Sequence, residues 1–303
     1  MTLNLSIMKK VFFVKSLLCL LAVSCSVQEI DVKETPVHED SVFFASLESD
    51  SAPETRVYVN EKVKMLWDAD DRISIFEKST YNQQYRFLGE TGANAGGFEK
   101  VSGSAFVTGN DFPFYCAVYP YQSASIDNDD VLHLTLPKEQ SYRVGSFGRG
   151  ANTMVAVSED NFLRFKNAGG YMVLKFFGED VSVSSVTLEG LNNERLSGKA
   201  FWKPTLEAFP EITLDESDSE GGTSVTLHCD NIQLGTTKEA ATEFWLVVPP
   251  TKFTQGFKLT VKGPDGEEFV KQVANPAILD RLYVERNGIL RIGAIQVVFP
   301  SQS

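Results

Sequence analysis

Few of the side chains whose types could do chemistry are spaced to do it together. The three histidines, His38, His133 and His228, are dispersed along the chain. No His-x-x-x-His or Cys-x-x-Cys pair offers a transition-metal site. Gly-x-Ser-x-Gly, the P-loop and a strand-linked Gly-x-Gly-x-x-Gly are also absent, so the sequence suggests neither a nucleophile elbow nor a phosphate cradle. Asp68-Ala69-Asp70-Asp71 is acidic enough to invite calcium. Counted as an EF-hand loop, however, it puts Ile73 where glycine is required and Ser79 where glutamate is required. A solvated hairpin turn is expected there instead. The 40 acidic residues allow many carboxylate pairs of the kind glycosidases use, but the sequence singles out none of them. The expectation is a protein with no catalytic residues, no cofactor and no metal, and therefore not an enzyme.

Cys25 has a more definite chemistry. Lys9 and Lys10 precede an apolar run from Val11 to Leu21 that only Lys15 interrupts, and Ala22 and Ser24 lead into the cysteine. This is the order of a secretory signal over residues 1–24. A membrane-spanning helix would need about 18 or more uncharged apolar residues. Ala22-Val23-Ser24-Cys25 resembles the bacterial lipoprotein lipobox, with alanine where leucine is usual. In a lipobox the cysteine thiol receives a diacylglycerol and, after cleavage, its amine receives a third acyl chain. Two or more chains give lasting anchorage, which makes Cys25 the candidate lipidation site and the outer membrane the expected location. The alternative is an ordinary cleavage site that happens to precede a cysteine. Cys19 leaves with the signal. Cys116 and Cys229 lie in separate strand-like runs, each alternating with apolar residues, and are expected to be buried free thiols.

Removing the signal takes three lysines and no acid, so the formal charge moves from −12 to −15. That balance argues against nucleic acid and anionic membrane surfaces as partners. A hydrophobic content of 43% with 22 Phe, 9 Tyr and 3 Trp argues for packed domains rather than disorder. Residues 25–41 are polar and acidic and suit a tether. Beyond them, short apolar or alternating runs recur about every 8 to 12 residues with turns between, and no long amphipathic helix interrupts them. Val42 to Leu47 is expected to be a buried strand, and Val63, Met65 and Trp67 a second one entering the acidic turn. The glycine-rich Gly92 to Gly97 is expected to connect strands, and Asp215 to Gly222 to be a solvated loop. Hairpins are expected at Gly263-Pro264-Asp265-Gly266 and at Asn287-Gly288. The aperiodic stretch from Lys138 to Asn161 places a boundary between domains at 42–161 and 162–303.

Four stretches in order resemble the fimbrillin-like family, the lipidated fimbrial subunits called type V pilins. Trp67-Asp68-Ala69-Asp70-Asp71-Arg72-Ile73-Ser74-Ile75-Phe76 is similar to its W-x-x-x-D-x-I-x-[IV]-[FY] segment. Phe114 to Tyr121 is similar to its aromatic strand ending in Y-P-Y. Phe165 to Gly170 resembles the start of its second domain, and Trp245 to Pro250 followed by Gly256-Phe257 resembles its late W-x-x-x-P-P strand. The resemblance implies two transthyretin-like antiparallel β-sandwich domains and a role as a fimbrial subunit or fimbria-associated adhesin. Its implied partners are other fimbrial subunits and a host or bacterial surface ligand. It also implies maturation by a trypsin-like protease at an arginine or lysine near Arg56, which sits in a Pro53-containing polar link behind the first strand. Such a cut frees the first strand and opens a groove for β-strand addition, with Ile289 to Phe299 as the donor candidate. Arg56 as a plain solvated linker residue stays open, and so does a cell-surface glycan-binding lipoprotein as the alternative function.

The lipobox makes the first prediction. Intact mass of membrane-extracted protein is expected to show a mature chain beginning at acylated Cys25, and Cys25→Ala is expected to leave the membrane fraction. A free N-terminus at Ser26 would contradict it.

Overall fold

The computed structural model describes residues 42–48, 65–102, 111–206 and 208–300. Cys25, the tether and Arg56 lie outside them. Among the described residues the chain forms 23 strands and one turn of 3-10 helix at Leu279–Arg281. The all-β expectation therefore holds. No helix among these residues is long and apolar enough to cross a membrane.

Seven strands close into a barrel in the order β1 (Val42–Leu47), β11 (Phe162–Asn167), β10 (Met154–Ser158), β5 (Asp111–Tyr119), β2 (Arg72–Ser79), β3 (Asn82–Phe87) and β4 (Ala95–Ser102). Alternation decides what each strand turns inward. β2 sends Ile73 and Ile75 into the barrel core and β5 sends Ala117 and Tyr119, while their neighbours Phe76, Cys116 and Val118 pack on the outside. Trp67 fills the interior, its ring meeting the edges of Phe98, Tyr119 and Phe165 at 5.1, 5.4 and 5.5 Å. The outer face is covered by a sheet of β15 (Thr213–Leu214), β14 (Gly198–Trp202), β7 (Leu132–Leu136) and β6 (Ser125–Ile126).

A second assembly is built on β12 (Gly170–Phe177) and its antiparallel partner β17 (Thr242–Val248). β12 is apolar on both faces, and both are buried. Tyr171 and Val173, with Trp245 and Val247, join the barrel core. Met172, Leu174 and Phe176, with Phe244, Leu246 and Val248, face a six-stranded sheet. That sheet runs β20 (Glu268–Val273), β19 (Phe257–Lys262), β13 (Ser182–Gly190), β16 (Ser224–Gln233), β8 (Glu139–Arg143) and β9 (Ser146–Phe147). β18 (Thr251–Lys252) pairs with β21 (Tyr283–Val284), and β22 (Ile289–Arg291) and β23 (Ile295–Gln296) run parallel to β12.

Several expectations need correction. The sheets are not purely antiparallel, because β1 pairs parallel with β11, β8 with β16, and β22 and β23 with β12. Each of these joins segments far apart in sequence, a pairing that no hairpin turn can announce. Wherever a domain boundary lies, β10 and β11 on either side of position 161 are neighbours in the barrel, and β8 pairs with β16. The run Met65 to Trp67 forms a single bridge to Ala93 rather than a strand, since Trp67 is used to fill the core. Gly96 and Gly97 lie inside β4, where a side chain at Gly96 would run into the Phe87 ring. Asn287-Gly288 does turn the chain, with Asn287 at φ 57°. The residues on either side pair with β18 and β12, however, and not with each other. The Asp215 to Gly222 loop is anchored, because the nearly buried Asp218 carboxylate accepts the backbone N–H of Lys199 at 2.8 Å. That bond, above all, holds the Asp218 carboxyl below the ordinary aspartate range.

Other expectations are met. β19 and β20 form a hairpin around Gly263 to Gly266. Leu132, Leu134 and Leu136 are buried on one face of β7, with His133 on the other. Cys116 and Cys229 are buried free thiols in different cores. Burial drives both thiol pKa values up, that of Cys229 to about 12, so neither is a ready thiolate.

Gly170, where β12 enters its two-faced position, has no room for a methyl group, which would run into the carbonyl oxygens of Glu285 and Gly288. Gly170→Ala is expected to cost about 2–4 kcal/mol of stability, read as a lowered midpoint of chemical unfolding. An unchanged midpoint would show that the Glu285 to Gly288 backbone yields freely.

Candidate functional site

Strand addition needs a strand that can leave, a groove that receives one and a segment that donates one. Val42-Phe43-Phe44-Ala45-Ser46-Leu47 becomes β1 because its alternation puts Phe43 and Ala45 inward, where both are buried. The Phe43 ring meets the edges of Tyr85 and Tyr115 at 5.3 and 5.1 Å. On one side β1 pairs antiparallel with β4 from Val42↔Glu99 to Ser46↔Ala95. On the other it pairs parallel with β11 from Phe44↔Phe162 to Leu47↔Phe165. β1 therefore closes the barrel, and its loss would expose backbone groups on two strands at once.

The far end of β1 is held by an ion pair that the sequence did not single out. Glu48, the last described residue before the link containing Arg56, accepts both arms of the Arg286 guanidinium, at 2.7 and 2.8 Å. The two side chains are only 14% and 19% exposed. Water therefore screens this bidentate pair less than a surface pair. Arg286 also donates to the Asn167 carbonyl at 3.2 Å, and the Asn167 N–H donates to Glu48 at 3.1 Å. The Asn167 side chain continues the network to Asn287 Oδ1. The only signal pointing here was the Asn287-Gly288 turn beside Arg286, and it said nothing about a partner 238 residues away.

The proposed donor, Ile289 to Phe299, is already seated in its own chain. It lies along β12 from Tyr171↔Ile289 to Phe177↔Gln296, and the register slips by one residue between Val173↔Arg291 and Phe176↔Ile295. Val297 is fully buried, and Leu290, Ile292, Ile295 and Phe299 pack against the same core. To act as a donor this segment must first leave β12 and uncover that core.

The remaining sequence candidates are occupied by contacts of their own. His133 is hydrogen-bonded to Asp127 at 2.8 Å, and His228 lies against Glu139. The acidic turn is not simply solvated. Asp71 is almost wholly buried and accepts from the Asp68 N–H at 2.8 Å and from Arg149 Nε at 2.8 Å. Arg143 donates to Asp68 at 3.1 Å. Burial pushes the Asp71 carboxyl above the ordinary aspartate range, while the Asp68 N–H and Arg149 pull it back. Guanidinium groups thus take the oxygens that a calcium reading would need. No group of three His, Cys, Asp or Glu able to hold a metal occurs among the described residues.

No family model matches the sequence, and no curated protein matches it significantly. Among solved structures, the chain is similar to a proposed cell adhesion protein of Bacteroides uniformis at 17% identity and a TM-score of 0.45, over 76% of this chain and 88% of that one. It is similar to a proposed cell adhesion protein of Bacteroides ovatus at 15% identity and a TM-score of 0.42, over 86% and 95%. It is similar to the tip fimbrial protein Mfa3 of Porphyromonas gingivalis, with a C-terminal truncation, at 9% and 0.29, over 84% and 95%. Likeness at this level does not fix a family or a function for this chain.

The Glu48–Arg286 pair can be weighed by a double-mutant cycle. Glu48→Ala is expected to cost about 2–3 kcal/mol, because it leaves a largely buried guanidinium short of a partner. Glu48→Ala/Arg286→Ala is expected to cost less than the sum of the two single changes, with a coupling of about 1–2 kcal/mol. Additive losses would show that the pair does not hold β1.

Proposed function

We propose that this chain is a surface-exposed lipoprotein, anchored in the outer membrane through Cys25, that serves as a fimbrial subunit or fimbria-associated adhesin. Its proposed layout is a signal at 1–24, a tether at 25–41 and two transthyretin-like sandwich halves, 42–161 and 162–303. The halves interlock through β8 and the shared barrel rather than standing apart. Its partners are other subunits of the same kind, and it performs no catalysis.

The observation that carries this reading is the position of β1. A six-residue strand completes the barrel from both sides, and the chain leaves it at Glu48 toward the link containing Arg56. Cutting there would separate β1 from the body while its hydrogen bonds and the Glu48–Arg286 pair still held it in place. Departure of the strand would then leave a groove lined by β4 and β11, suited to an extended segment with small and apolar residues at alternate positions. Residues 289–299 have enough apolar side chains for that role once they leave β12.

Limited trypsin digestion tests the reading. Cleavage after Arg56 is expected to yield a body that retains β1 noncovalently, releases it slowly and then forms concentration-dependent polymers. Arg56→Ala is expected to stay monomeric. Cleaved protein that loses β1 and still remains monomeric would exclude polymerisation by strand addition and leave an anchor or tip role.

A further inference from the structure

A cleft of about 570 Å³ opens where the barrel meets the β12–β17 sheet. Its volume is within the range of small-molecule sites. Leu47, at the end of β1, forms part of its edge, but the strand-addition reading gives the cleft itself no task. Its accessible aromatic surface comes from the half-buried Phe147, stacked on Tyr171 at 5.2 Å and 9°, while the buried Trp245 behind it is covered by the Arg291 guanidinium at 5.4 Å. Stacking and burial hold these rings in place, so little side-chain entropy remains to be lost when a ligand is bound.

The polar walls are built from matched charges. Asp68 is paired with Arg143 at 3.1 Å, Asp71 with Arg149 at 2.8 Å, and Glu243 with Arg291 at 3.7 Å. Three carboxylates and three guanidiniums leave no net charge on the lining. Arg143 and Arg149 both grip the one turn at Asp68 to Asp71, and Arg149 also donates to the Ala69 carbonyl at 2.9 Å. Each guanidinium is about half exposed, and each has N–H groups beyond those it uses. Inside the cleft Asn152 holds its Nδ2 against Asn167, while its buried Oδ1 has no hydrogen-bond partner. At the rim, Val144 is 82% exposed.

A ligand for this surface must present an apolar face to the Phe147 ring and groups that both give and take hydrogen bonds to the side-by-side Asp68 carboxylate and Arg143 guanidinium. A hydroxyl does both, and two on adjacent carbons can meet an Asp–Arg pair together. An anion would find the carboxylates in its way, and the protein's overall charge of −12 repels polyanions. We propose that this cleft is a binding site for a neutral saccharide with vicinal hydroxyls. The sugar's C–H face lies on Phe147, and its hydroxyls engage the Asp68–Arg143 pair and the unused N–H groups of Arg149.

In uncleaved protein β1 and Leu47 stay in place, so titration of that form reads the cleft whether or not cleaved protein polymerises. Isothermal titration of the purified protein with neutral gluco-, manno-, galacto- and xylo-oligosaccharides, with oligogalacturonate as the acidic comparator, is expected to give saturable binding of at least one neutral member. Arg149→Ala is expected to weaken it at least tenfold. Because that change also strips Asp71 of its partner, Val144→Trp provides a second variant, one that crowds the mouth from an exposed position. It is expected to abolish binding with the unfolding midpoint unchanged. The proposal is overturned if no neutral oligosaccharide binds saturably, if only oligogalacturonate binds, or if binding survives undiminished in a folded Val144→Trp protein.

Discussion

The structure depends on one strand pair being buried on both faces. In Gly170-Tyr171-Met172-Val173-Leu174-Lys175-Phe176-Phe177, every residue from Gly170 to Leu174 is buried, and so is Phe176. Tyr171 and Val173 face the barrel core, and Met172, Leu174 and Phe176 face the core beneath the six-stranded sheet. Burying a large apolar side chain contributes roughly 1.5–3 kcal/mol, and here one strand supplies such side chains to two cores. The barrel and the six-stranded sheet therefore share a wall, and a defect in β12 is felt by both.

The shared wall also explains the close approaches around it. Gly169 and Gly170 let the backbones of Val248, Glu285 and Gly288 come against the entry of β12. Gln140 of β8 reaches into the same wall, accepting from the Val247 N–H at 3.0 Å and donating to the Val247 carbonyl at 2.6 Å. Through this side-chain bridge a strand from the first half of the sequence is tied to the sheet of the second. Buried polar groups are costly unless paired, so the position of Gln140 is as constrained as that of any apolar neighbour.

The end of β1, the end of β11 and the turn before β22 meet at Glu48, Asn167 and Arg286. Here the strand that closes the barrel and the turn that launches β22 are joined by one ion pair. β1 and residues 289–299 are the two segments on which a strand-addition mechanism would act. The network contacts the residue that follows the first and the turn that precedes the second.

The sequence by itself determined what rests on local pattern. Period-2 alternation marked the β character throughout, the inward leucines of β7 and the buried thiols. Turn chemistry marked the hairpin at Gly263 to Gly266 and the acidic bends at Asp68 to Asp71 and at Asp127 to Asp130. These signals operate over a few residues, within which backbone preference and side-chain burial agree. Only the tertiary structure decided which strands pair in parallel, that Trp67 fills a barrel rather than lying in a ladder, and that Gly96 makes room for Phe87. It alone placed Glu48 against Arg286, and it alone assembled the cleft from Asp68, Arg143, Arg149 and Trp245. Those contacts join residues tens to hundreds of positions apart. Arginine and aspartate in a loop look the same in sequence whether they face water or one another, and what distinguishes them is the desolvation that neighbouring strands impose.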